Sequence, residues 1–274
     1  MTSSRSLHIE PADAVRSGIP LLVLLGAVAL PPLAGVFLLV LLAGVTVAVG
    51  RHAPVAWSWA AMVPAAAIAT LRAFAPTLPA IPSAVSAAGC TQVASPAVLW
   101  AVAEVALVVA VTATLGGVLR ASSGDLAIRW PAKYAVRLAF LGAATLLGGG
   151  LAAVAVVSRP ELGLPALDLG GAAFVAPGAV FAVARGVGEE LAWRGALLRW
   201  MGRMVGLWPA VVGQAAVYAA WWGVWLGSPL AGVVAGAAGL VGGALVVRTR
   251  SLLVPVAWHV ALNLSLYALL ACRA

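Results

Sequence analysis

Charge is what this sequence has least of. Only 9% of its 274 residues are charged and 64% are hydrophobic, giving a mean hydropathy of +1.09. No soluble domain of this size can hide that much apolar surface in one core, so a water-soluble enzyme or binding module is excluded. Acidic residues number 8 against 16 basic ones, and Lys133 is the only lysine. The net charge of +8 sits in short runs between apolar stretches. That placement is a topology signal and not a nucleic-acid footprint, so no nucleic-acid partner is expected. Cys90 and Cys272 are too few for a disulfide framework and stand in no CxxC or Cys/His cluster, which removes zinc-ribbon and thiol-redox readings. Of three histidines, His8 and His52 fall outside the expected core. His259 alone, even with carboxylates, is a thin ligand set, so no metal and no cofactor is implied.

What the chain does contain is a series of apolar runs, each long enough to cross a hydrocarbon core of about 30 Å. Spans are expected near 53–75, 96–119, 134–157, 172–200, 207–226, 229–247 and 251–271. The stretch 19–50 is split by Pro31 and Pro32, so it is either one kinked helix or a hairpin of two short ones. It is far longer than a signal-peptide core and reads as retained membrane segment. The expected fold is therefore all-α, a polytopic transmembrane bundle of eight or nine helices in the cell membrane. No repeat or long linker divides it. One membrane domain follows a tail at 1–18, with N-terminal helices in 19–170 and a second group in 171–274.

The loops orient the bundle. Arg120, Arg129, Lys133 and Arg137 flank one connection, Arg199 and Arg203 another, and Arg248 and Arg250 a third. Positive loops belong in the cytoplasm. The alternate connections agree, because 76–95 carries no charge and 158–171 sets Arg159 against Glu161 and Asp168. Cys90 and Cys272 then share the outer side, where a disulfide between them is open. Small residues from Ala231-Gly232 to Gly242-Gly243 read as sites of close backbone approach.

Ionisable groups inside hydrocarbon cost about 2.5–3.5 kcal/mol each on insertion scales, so each needs a partner or a task. They cluster in Arg185-Gly-Val-Gly-Glu189-Glu190-Leu-Ala-Trp193-Arg194-Gly. Arg185 with Glu189 and Glu190 with Arg194 are both i,i+4 pairs, which shares each pair on one helix face. At about 1.5 Å rise per residue, Glu189 lies on the order of 15–20 Å from the cytoplasmic end at Arg199 to Arg203. His259 lies on the order of 12 Å into the helix that follows Arg250. Two helices thus bring a carboxylate pair and an imidazole to similar depth, with Asn263 one turn beyond His259 on the same face. A carboxylate that activates water, with an imidazole and an amide to stabilise an oxyanion, suffices to hydrolyse an acyl bond. The plainer alternatives are a neutral ladder of two ion pairs and a histidine bonded to a backbone carbonyl.

The run Glu189-Glu190-Leu-Ala-Trp193-Arg194-Gly195 resembles the EExxxR motif of the CAAX protease and bacteriocin-processing family, and His259-Val-Ala-Leu-Asn263 resembles its HxxxN motif. The likeness covers about residues 172–271. It implies an intramembrane endopeptidase with Glu189 as the general base, Glu190 and Arg194 as a supporting pair, and His259 and Asn263 as the oxyanion site. It further implies a peptide or protein substrate, with lipidation allowed, handled among membrane lipid. Type II members cut after a prenylated cysteine, and bacterial relatives serve peptide maturation or bacteriocin self-immunity.

One motif departs. The family's FxxxH supplies a second histidine, and here that region reads Tyr218-Ala-Ala-Trp-Trp222. An indole donates one hydrogen bond and cannot accept a proton, so Trp222 does not replace imidazole in acid/base work. This opens the alternative of a degenerate, non-catalytic member that serves as a membrane binding, scaffold or immunity protein. Gln214 and Tyr218 share that helix face and are fit to bind water. Trp193, Tyr218 and Trp222 are the expected substrate-facing aromatics, against the plainer reading that they only pack. Glu104 is expected to pair with Arg72 or Arg185. A transporter that relays charge through Glu104, Arg185 and Glu189 is disfavoured, because no symmetric pair of broken helices is evident.

Overall fold

The computed structural model describes residues 40–46, 48, 55–74, 90–121, 126–128, 130–157, 172–225 and 227–271, and no strand occurs among them. The elements are α1 (Val55–Phe74), α2 (Cys90–Leu119), α3 (Lys133–Val157), α4 (Ala172–Glu190), a π-helical segment (Leu191–Leu197), α5 (Leu198–Val205), α6 (Leu207–Trp225), α7 (Pro229–Thr249) and α8 (Leu253–Ala271). All seven spans expected from residue 53 onward are helical, although α2 begins earlier than the expected 96. Of the ambiguous stretch 19–50, residues 40–46 are helical and 19–39 lie outside the described residues. Arg72 and Cys272, the proposed partners of Glu104 and Cys90, also have side chains outside them.

Local chemistry sets the boundaries. Ser228 caps α7, its hydroxyl accepting from the Ala231 N–H at 3.3 Å, and Pro229 opens the first turn where its missing N–H is not needed. At the other end Arg250 adopts a left-handed conformation, φ 55°, and its N–H returns to the Val246 carbonyl. Gly206, φ 89°, breaks α5 from α6, in the part of φ space that glycine enters without steric cost.

Helix α1 is buried nearly all round, from Ala60 through Ile68, and packs against α2, the π segment and α5. Helix α8 packs against α3 and α4, and α6 and α7 form a close pair. Outward faces are apolar instead of polar. Leu99 on α2, Phe140 and Leu141 on α3, and Leu230 and Val233 on α7 are each at least two-thirds exposed. That inverted surface fits hydrocarbon and not water. Among the described residues three helices are long and apolar enough to cross a membrane, Val98–Gly117, Lys133–Ala152 and Pro229–Thr249. Helix α4 carries Arg185, Glu189 and Glu190, and the apolar part of α8, Leu253–Ser265, is shorter.

Two of the basic connections lie side by side. The Leu252 N–H donates to the Ala127 carbonyl at 3.1 Å, and the Tyr134 hydroxyl donates to the Arg248 carbonyl at 3.3 Å. The α2–α3 and α7–α8 connections are therefore neighbours.

Trp258 pins α8 to α3, its indole N–H donating to the Leu138 carbonyl at 3.1 Å while the ring lies over Gly142, where a Cβ would overlap it. Gly142→Ala should therefore cost about 1–3 kcal/mol through overpacking. Gly148→Ala, whose added methyl meets nothing within 4 Å, should cost far less. Thermal unfolding of the two variants in detergent makes the comparison.

Candidate active site

Helix α4 runs directly into the π segment, so the chain stays helical from Ala172 to Val205 while its pitch widens just after Glu190. Every residue of the segment, Leu191 to Leu197, is buried. Such widened turns are concentrated at functional sites. Both predicted i,i+4 pairs form: Arg185 Nε donates to Glu189 Oε1 at 3.2 Å, and Arg194 Nη1 donates to Glu190 Oε1 at 2.8 Å. All four side chains are almost wholly buried, and their formal charges cancel.

Helix α8 comes close enough to reach them because of Gly186. A Cβ there would meet Val260 Cγ2 at 2.9 Å and the Val260 backbone nitrogen at 3.2 Å. Next to Val260, His259 places Nδ1 2.8 Å from Glu190 Oε1 and Nε2 3.4 Å from Glu189 Oε2. A ring carrying one proton can donate in only one of these contacts, and the shorter one assigns it to Nδ1. Asn263, one turn on, is buried, and its Nδ2 has no hydrogen-bond partner among the described residues.

Helix α6 supplies the third wall. The Tyr218 hydroxyl donates to Glu189 Oε2 at 3.0 Å, a contact the sequence reading did not foresee. The Arg194 guanidinium carbon lies 4.6 Å from the Tyr218 ring centre. The Trp222 ring lies 6.0 Å from the Arg185 guanidinium carbon, with Trp225 at 5.8 Å and Phe181 at 5.6 Å. The aromatic cluster thus surrounds the cation that holds Glu189. Phe181 and Arg185 are i,i+4 on α4, the one sequence signal that was there to find. Trp193 packs on Tyr218 and Trp221, with ring centres 5.2 and 5.6 Å away. Glu104 is buried on α2, one residue before Val105, whose Cα a methyl at Gly188 would meet at 3.4 Å.

Among the described residues no group of His, Cys, Asp and Glu is arranged to hold a metal ion. What the geometry offers instead is two carboxylates, an imidazole with one nitrogen left to accept, a phenol and an unpaired amide donor. All belong to an apolar helical bundle. Together they form a buried cluster of groups able to take up and give up protons.

The comparison with known families falls on these same elements. Residues 171–265 match the model of the Rce1-like family, type II CAAX prenyl endopeptidase, in agreement with the resemblance to the CAAX protease and bacteriocin-processing family. This family is one of membrane-embedded CAAX-type proteases. The match spans about a third of the chain and takes in Glu189, Glu190, Arg194, His259 and Asn263. No curated protein and no solved structure matches the chain.

Because Glu190 and Arg194 are buried together, removing one charge strands the other. Arg194→Leu alone should destabilise the protein by about 3–5 kcal/mol, and adding Glu190→Gln should recover much of that loss. Chemical or thermal unfolding of the single and double variants supplies the test, and a double variant no better than the single contradicts it.

Proposed function

We infer that this chain is an intramembrane endopeptidase of the CAAX-protease type, a multi-pass protein of the cell membrane with eight or nine spans. The observation that carries this reading is the meeting of Glu189 and Glu190 with His259, from separate helices, at 3.4 and 2.8 Å in a buried setting. Glu189 takes a proton from water as the oxygen attacks the carbonyl of a peptide substrate near the cytoplasmic side. The amide donor of Asn263 stabilises the oxyanion, and His259 joins it once Nε2 has taken up the proton that Glu189 removed from the water. Glu190 and Arg194 hold the imidazole by its Nδ1 proton, which leaves Nε2 beside Glu189 to accept the proton that must next reach the departing amine. Trp193, Tyr218 and Trp222 serve the substrate side, where an apolar or lipidated side chain gains from aromatic contact.

Trp222 favours a second reading, a family member that binds a peptide without cutting it, because the family's second histidine is replaced by an indole. The two readings separate in one experiment. Peptide or protein processing is followed in cells that carry the wild type, Glu189→Gln, His259→Ala or Trp222→His. The peptidase reading expects Glu189→Gln and His259→Ala each to lower processing by about 10²-fold or more. Unchanged processing in Glu189→Gln sinks it. Cleavage that arises only in Trp222→His supports the binding reading.

A further inference from the structure

One turn before Tyr218 on α6, Gln214 is completely buried, and neither Oε1 nor Nε2 has a hydrogen-bond partner among the described residues. Native structures seldom leave a buried carboxamide unpaired, because its desolvation is then uncompensated. The side chain is laid against a glycine face of α7. A Cβ at Gly239 would come 3.4 Å from Nε2, and one at Gly243 would come 3.3 Å from Oε1. Gly242 on the same helix does this for Arg194, 3.3 Å from Nε and 3.4 Å from Nη2. These glycines make room for polar side chains as well as for the backbone approach that the sequence suggests, since a Cβ at Gly239 would also meet the Ala215 Cα at 3.0 Å.

Two more atoms of this layer are buried without a partner among the described residues, Arg194 Nε and Glu190 Oε2. The four atoms comprise two donors and two acceptors. An anion would face Glu190, a cation would face Arg194, and an apolar occupant would leave all four unpaired. A water molecule can donate to both acceptors and accept from Arg194 Nε. We propose that Gln214, Arg194 and Glu190 form an internal water site walled by Gly239, Gly242 and Gly243. The water donates to Gln214 Oε1 and Glu190 Oε2 and accepts from Arg194 Nε. This site stands on geometry alone and does not depend on whether the centre turns over.

The test uses the full chain in detergent, with Gln214→Met as an apolar side chain of similar length. The expected result is an unfolding midpoint lower by about 5 °C, since the water and its remaining partners lose a bond. Gly243→Ala should also lower the midpoint, and the two changes together should fall short of their sum because they strike one site. A midpoint for Gln214→Met equal to or above wild type overturns the proposal, because a truly unpaired amide is better removed. Should Gln214→Met fail to fold, an experimental wild-type structure that resolves ordered water decides. A water within hydrogen-bond reach of Gln214 Oε1 and Arg194 Nε supports the site, and direct packing with no water there overturns it.

Discussion

Everything in the C-terminal half depends on keeping two glutamates, two arginines and an imidazole neutral as a group inside apolar helices. Each unpaired charge would cost about 2.5–3.5 kcal/mol on insertion scales. The solution is pairing within one helix turn, Arg185 with Glu189 and Glu190 with Arg194, followed by a second tier of bonds from other helices. His259 and Tyr218 both bond to carboxylates whose charges are already balanced. The i,i+4 ladder and the meeting of the carboxylates with His259 and Tyr218 are therefore parts of one structure.

Reaching that second tier is a steric problem, and glycine solves it. Gly186 lets α8 approach α4, which is what carries His259 to the carboxylates. Gly239, Gly242 and Gly243 let α7 close over Gln214 and Arg194. Helix packing in membranes has little hydrophobic drive, so small residues and internal polar bonds carry much of the specificity. Here both devices meet at the same few residues, and the widened turn after Glu190 aligns them.

Much of this was legible in the sequence because it rests on spacing. The helices from residue 53 onward follow from apolar run length, and both ion pairs follow from the i,i+4 rule. The nearness of α4 to α8 followed from matched depth, which fixes height in the membrane but not azimuth. Contacts across helices were not legible for that reason. The Tyr218 bond to Glu189 and the aromatic surround of Arg185 depend on how α6 is rotated, and a helix apolar on all sides gives no amphipathic stripe from which to read rotation. Trp222 was recognised as a departure in the FxxxH region, yet its contact with Arg185 is a three-dimensional fact. The α7 glycines do meet backbone, at Ala219 from Gly232 and at Ala215 from Gly239, but nothing in a one-dimensional run says that a glutamine is also their neighbour.

The central claim is that α8 delivers the His259 Nδ1 proton to Glu190. The most direct measurement is the ¹⁵N and ¹H spectrum of the His259 imidazole in bilayers, recorded for wild type and Glu190→Gln. A strongly hydrogen-bonded Nδ1–H, slow to exchange with solvent and shifted upfield in Glu190→Gln, is the result this structure requires. A rapidly exchanging imidazole with the same spectrum in both proteins would contradict it.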